Sequence, residues 1–325
     1  MTRARRWIAA LALAVASALP AASDPIPLAA TPIELLPGHP ETTRIGRLEY
    51  LGGLHLVSRD SRFGGVSGLE TLPDGRLLGI TDVGYWFTFR PVLDARGHLV
   101  DARDGDLQSL NDERGRPLIG KVLTDAESVR RDASGDLLVS FERTHRVLRY
   151  KTVGGPGVPI QVPPDVAGQP DNGGIETLAA WPATADRPDG RLLMISEQAR
   201  NAASDLKAWL RVDGTWHALS YPLQGEGLPT DAAVLPSGDL VVLERRFGLF
   251  TSLGARVVRV PVARVVPGGK LVGETLAEWE APLSVDNMEG IAITRGPDGA
   301  DLLWIVSDDN FRRAQRTLLM LFRVE

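Results

Sequence analysis

The chain has 325 residues, 43% hydrophobic and 24% charged, and a formal net charge of −5, the make-up of a globular protein able to bury a sizeable core. An acidic balance of this kind excludes a basic nucleic-acid-binding stripe. The absence of cysteine excludes disulfides, a thiol nucleophile and a cysteine-linked lipid anchor.

Three arginines in the first six residues precede the apolar run Trp7–Leu19, which is too short to span a bilayer as a helix. Small residues at Ala16 and Ala18, or at Ala21 and Ser23, supply cleavage sites, so residues 1–23 read as a secretory signal peptide. Arg5-Arg6 raises the twin-arginine route, but the residues that follow fit ordinary secretion better. Loss of Arg3, Arg5 and Arg6 takes the charge from −5 to −8, because no acidic residue precedes Asp24. The expected address is the periplasm or the medium, without stable membrane insertion, since no second apolar stretch approaches eighteen residues.

Residues 24–43, rich in Pro, Ala and Thr, predict an extended, poorly ordered leader to a single domain over 44–325. With 34 Gly and 23 Pro that domain is punctuated by turns and lacks long helical periodicity, which predicts an all-β chain. Arg47–Val57 opens the strands. Five units follow, each an apolar run, a Gly-containing turn and a second apolar run, with polar residues at both outer ends. Their leading positions are Ser67, Glu127, Glu176, Asp231 and Glu289, and their trailing positions Asp82, Glu142, Glu197, Glu244 and Asp308. The steps between leaders are 60, 49, 55 and 58 residues, a repeat of the size of a four-stranded blade. The expected fold is a single β-propeller of five or six blades, a sixth being sought in Gly84–Lys121. Leu48–Val57 and Leu318–Val324 are expected to share one blade and close the ring. A β-sandwich or a two-domain chain would not repeat the carboxylate–turn–carboxylate pattern.

A hairpin returns the chain to its start, so each pair of ends meets at one channel mouth. That gathers a ring of carboxylates, with Asp125 or Asp309 as further members. Like charges so close must be protonated or neutralised, and calcium, a hard cation that takes oxygen ligands, suits them. Glu289, Asp308, Glu176 and Glu127 are the candidate catalytic residues. Glu142, Glu197, Glu244, Asp309, Asp82 and Asp231 are the candidate metal ligands. Arg245, Arg246 and Arg312, with Asn310, are the candidate contacts for an anionic substrate. The alternative role for the acids is as turn caps and partners for the flanking arginines.

Other signals are weak. Gly65–Leu69 lacks the final glycine of a nucleophile elbow, and the five histidines show no zinc spacing, although His145 stands near Glu142. Asp101–Asp106 departs from the calcium-loop pattern, and Ser307–Asn310 lacks the partners of a β-lactamase site.

The segments Gly65–Asp82, Asn172–Glu197 and Leu235–Arg245, and above all NMEGIA with SDDNFRRAQRT, resemble the exported phytase-like family described as esterase-like activity of phytase. The resemblance covers nearly all of residues 24–325 and implies a β-propeller with a phosphoesterase or esterase role. It is carried by Glu127, Glu142, Glu176, Glu197, Glu244, Glu289, Asp308, Asp309 and Asn310, with Ser67 and Asp231 as departures. The function expected is metal-assisted hydrolysis of a small anionic phosphate ester by a monomer. The alternatives are a non-catalytic binding propeller and a calcium-dependent lactonase.

Overall fold

The structure is a computed structural model that describes residues 23–248 and 251–325. The signal-peptide expectation lies outside the described residues except for Ser23. Among the described residues the strands form five antiparallel sheets, and the innermost strand of each touches those of its two neighbours, which makes a closed five-bladed propeller. From the channel outwards, blade 1 is Val66–Thr71, Leu77–Thr81, Tyr85–Leu93 and Leu99–Ser109. Blade 2 is Ala126–Arg131, Leu137–Phe141, Arg146–Tyr150 and Gly157–Pro159. Blade 3 is Ile175–Trp181, Arg191–Arg200, Leu206–Val212 and Thr215–Tyr221, and blade 4 is Leu228–Val234, Leu240–Gly248, Thr251–Val260 and Glu274–Glu280. The segment where a sixth blade was sought supplies the two outer strands of blade 1.

Blade 5 joins the two ends of the chain. Asn287–Arg295, Asp301–Asp308 and Thr317–Val324 continue outwards into Leu48–Ser58 and Leu28–Ile33, with Thr317 opposite Leu56 and Val324 opposite Leu48. Residues 24–43 therefore do not form the loose leader that their composition suggests. Leu28–Ile33 is the outermost strand, where Pro32 is tolerated because an edge strand leaves one row of N–H groups unused. Leu35 behind it is 1% exposed.

The second strand of each blade is mostly apolar through its middle, where both of its faces are buried. Leu303 and Ile305 point into the core between blades 4 and 5, whereas Leu302, Trp304 and Val306 point into the core between blades 5 and 1. Three further cores fill the interfaces of blades 3 and 4, 1 and 2, and 2 and 3. Alternation between two cores, rather than between core and water, turns the period-2 pattern into a continuous hydrophobic run. Among the described residues no helix is long and apolar enough to cross a membrane.

Candidate active site

In each of the five inner strands the pairing slips by one residue near the start. The extra residue is Ser67, Glu127, Glu176, Thr230 and Glu289 in turn. A β-bulge of this kind leaves one residue unpaired and re-aims its side chain. The partner strands then place Asp82, Glu142, Glu197, Arg245 and Asp308 at the matching trailing position, one residue beyond the partner of the pre-bulge residue. The bulge carries carboxylates in blades 2, 3 and 5, and the trailing position carries them in every blade but the fourth.

Blade 4 corrects two expectations. Its ring positions hold Thr230 and Arg245, and the two acids one residue away face elsewhere. Asp231, fully buried, accepts hydrogen bonds from Ser128 Oγ at 2.7 Å and the Ile291 N–H at 2.9 Å, and pairs with Arg130 at 2.6 Å. Burial raises its carboxyl to about 7. Glu244 is buried beside Tyr221 and Arg256, accepting from the phenol and, at 2.7 Å, from Arg256 Nε. Neither residue belongs to the ring. Arg246, on the opposite face of its strand from Arg245, is engaged by Glu278 and Glu280 of the outermost strand.

Arg245 lies inside the ring. Its guanidinium reaches Glu197 at 3.1 Å, Glu289 at 2.9 Å and Asn287 Oδ1 at 2.7 Å, while Asn287 donates to Glu289 at 2.7 Å. It serves as a counter-charge for the carboxylates and has little left with which to clamp a substrate anion. On the far side of the mouth Lys121 bridges Asp82 at 2.6 Å and Asp125 at 2.5 Å, and Arg143 reaches Asp125 at 2.5 Å. Three cations thus meet eight carboxylates: Asp82, Asp125, Glu127, Glu142, Glu176, Glu197, Glu289 and Asp308.

The excess charge shows in the acidities. Burial, reinforced by neighbouring acids, holds Glu127 and Glu176 well above the ordinary carboxyl range. Burial raises Glu142 as well, against the N–H that Gly173 donates to it at 2.7 Å. Gly173 holds that N–H at a φ of +128°, which residues with a Cβ rarely adopt, and a Cβ there would run into Gln198. Burial also raises Glu289 to about 8 even with Arg245 alongside, and Asp308 to about 7 even with the Asn310 N–H bonded to it at 2.7 Å.

Asp309 is a brace rather than a ring member. Its Oδ1 accepts from the N–H groups of Gly65 at 3.1 Å and Phe311 at 3.0 Å, which ties the last hairpin to blade 1. Asn310 and Phe311 take left-handed φ of 48° and 51° to complete that loop, and Arg312 is exposed on it. His145 turns Nε2 to the Gln169 carbonyl at 3.2 Å.

Asp125, Glu127 and Glu142 each bring a carboxylate oxygen within 4.8 Å of the others. No donor reaches the Glu127 or Glu176 carboxylate among the described residues, and Asp82 Oδ1 is buried without a partner. Carboxylate oxygens crowded this closely, with more acids than cations around them, suit a hard divalent cation. Asp125 was only a marginal member of the ring on sequence grounds. The approach of its carboxylate to those of Glu127 and Glu142 makes it a ligand candidate.

A family model described as "Phytase-like: Esterase-like activity of phytase" matches residues 61–311. No curated protein matches the chain. Among solved structures the chain is similar to a putative gluconolactonase, with 13% identity over 93% of this chain and 96% of that one at a TM-score of 0.45. It is also similar to a gluconolactonase from Xanthomonas campestris, with 15% identity, 94% and 99% coverage and a TM-score of 0.42. An endo-arabinase from Bacteroides thetaiotaomicron gives 12% identity, 80% and 94% coverage and a TM-score of 0.47. Likeness at this level carries no argument about activity.

Proposed function

The chain belongs to the phytase-like family described as esterase-like activity of phytase, and we propose that it is a metal-assisted hydrolase of phosphate esters working at the acidic mouth of the channel. The observation that carries this reading is the set of bulges that turns Glu127, Glu176 and Glu289 into one ring with Glu142, Glu197 and Asp308. Asp125, Glu127 and Glu142 are the residues that would hold a divalent cation, for which calcium is our candidate. Such an ion supplies Lewis-acid polarisation of an ester oxygen and lowers the pKa of a bound water.

The chain's own groups supply the proton transfers. Glu289, at about 8, keeps its proton at neutral pH and can pass it to the departing alkoxide oxygen. Asp308, at about 7, is poised near neutrality to take a proton from attacking water. Arg245 and Asn287 fix the Glu289 carboxyl in place. Exposed Arg312, which no carboxylate of the described residues approaches within ion-pair distance, is the side chain left to meet substrate charge at the rim.

Thermal melting across a calcium titration, run beside turnover of aryl phosphate mono- and diesters, tests the reading. Millimolar calcium should raise the melting temperature. Glu289→Gln combined with Asp308→Asn should lower turnover by about 100-fold or more in a protein that still melts cooperatively. No calcium shift together with no turnover would sink the proposal, and a shift without turnover would leave a binding propeller.

A further inference from the structure

The two ends of the channel do not communicate. Below the ring, Arg130 is 4% exposed and donates to the carbonyl oxygens of Leu69, Ala232 and Ile291, in blades 1, 4 and 5, while Asp231 balances its charge. On the far side of this plug, at the face of the hairpin turns, lies a cavity of about 740 Å³, within the range of small-molecule sites. None of the mouth carboxylates lines it.

Its wall has two characters. Trp181, Ala233, Leu235 and Ile293 from blades 3, 4 and 5 make an apolar side. The charged side chains of the wall are five arginines against two carboxylates, in a protein whose net charge is −5. Two of those arginines, Arg131 and Arg191, are half-buried and have no carboxylate within ion-pair distance among the described residues. Arg131 spends donors on the carbonyls of Gly135 at 2.8 Å and Thr71 at 3.3 Å. Arg191 lies over the Trp181 ring at 4.5 Å and donates to the Val265 carbonyl at 3.1 Å. Each guanidinium carries five N–H donors, so most of them have no protein acceptor. Leaving donors and positive charge unanswered at a half-buried position costs free energy, and burial followed by the nearby Arg187 holds the Arg191 pKa below its ordinary value. An anion would relieve both costs.

We propose that this cavity is a second ligand site, for an organic anion with an apolar body. The anionic group lies against Arg131 and Arg191 and the body against Trp181, Leu235 and Ile293. The site is independent of the hydrolytic reading, because Arg130 and Asp231 stand between the two ends.

Anilinonaphthalene sulfonate, a fluorescent aromatic anion that fits the volume, is the probe. We expect saturable binding of one probe per native chain, with quenching by added salt as the exposed part of the charge contact is screened. Arg131→Gln and Arg191→Gln should each weaken it about tenfold, the value of one charge-assisted contact, and Glu289→Gln at the other mouth should leave it unchanged. Phenylnaphthylamine, the same body without the sulfonate, should bind about tenfold more weakly to the unmodified protein. That comparison keeps the test decisive if an arginine variant does not fold. Equal affinity for the charged and uncharged probes, affinity unmoved by both arginine variants, or no binding to the native chain would overturn the proposal.

Discussion

At the scale of single residues, blade 4 decides how the ring is read. Arg245 is a positive side chain built into the ring where the other blades carry acids, so its removal leaves Glu197 and Glu289 facing each other uncompensated. Arg245→Gln should cost about 2–4 kcal/mol at pH 8, by analogy with the breaking of a mostly buried ion pair, and urea unfolding would measure it. Adding Glu289→Gln should recover part of that loss, since the neutral amide no longer needs the guanidinium. Asp231 separates two roles more sharply. As partner of buried Arg130, Asp231→Asn should destabilise the protein by about 3 kcal/mol and leave the calcium effect on melting intact. A ring ligand would behave the other way round, with calcium response lost and stability little changed.

At the scale of strands, what was legible followed from patterns that survive a shift of one residue. Five units of apolar run, turn and apolar run, at steps near fifty-five residues, were enough for a propeller, and the pairing of Leu318–Val324 with the first long strand followed from the need to close the sheet. The register of blade 4 was not legible. A strand buried on both faces has no polar side to mark its phase, and Pro229-Thr230-Asp231 offers an acid beside the true bulge position. The nearest carboxylates in sequence, Asp231 and Glu244, therefore lie one residue off the ring positions that Thr230 and Arg245 occupy. Proline and alanine likewise concealed the edge strand Leu28–Ile33, because composition signals disorder whereas pairing with Leu48–Ser58 decides the outcome. Arg130 escaped notice as a channel plug because nothing in a local window shows that its four carbonyl acceptors include three from other blades. The bulge register makes its own prediction. Thr230→Glu should add a carboxylate to the ring, lowering stability by about 1–3 kcal/mol at pH 8, with the loss shrinking at pH 5. If the melting temperature of Thr230→Glu does not depend on pH more steeply than that of the unmodified chain, residue 230 does not face the ring.

At the scale of the whole molecule, the ring sets how stability depends on pH. Glu289 stands at about 8 and Asp308 at about 7 in the folded protein, against about 4 for carboxyls in an unfolded chain. Between about pH 4 and pH 8 the native state therefore holds protons that the unfolded chain has released. The slope of unfolding free energy with pH follows the protons bound by the unfolded state minus those bound by the native state, so it is negative across this window. These groups impose no penalty below about pH 4 and their full penalty above about pH 8. Asp60 works in the opposite direction: its hydrogen bonds with Arg62 lower it to about 2, and its contribution is present above about pH 4 and lost as pH falls through 2. The two tendencies place the stability maximum well on the acid side of neutrality, at about pH 4, where the penalty of the raised groups begins and the Asp60 contribution is nearly complete, rather than in the usual neutral range. In chelator, the melting temperature should fall steadily from pH 5 to pH 8.5, and Glu289→Gln should flatten that fall by close to one proton in the linkage slope. Millimolar calcium should restore the melting temperature at pH 8 far more than at pH 5, because protonated carboxyls at pH 5 bind a cation poorly. A protein that instead grows more stable from pH 5 to pH 8 in chelator would show that the mouth carboxylates are ionised and already compensated, and the case for a cation there would lose its electrostatic basis.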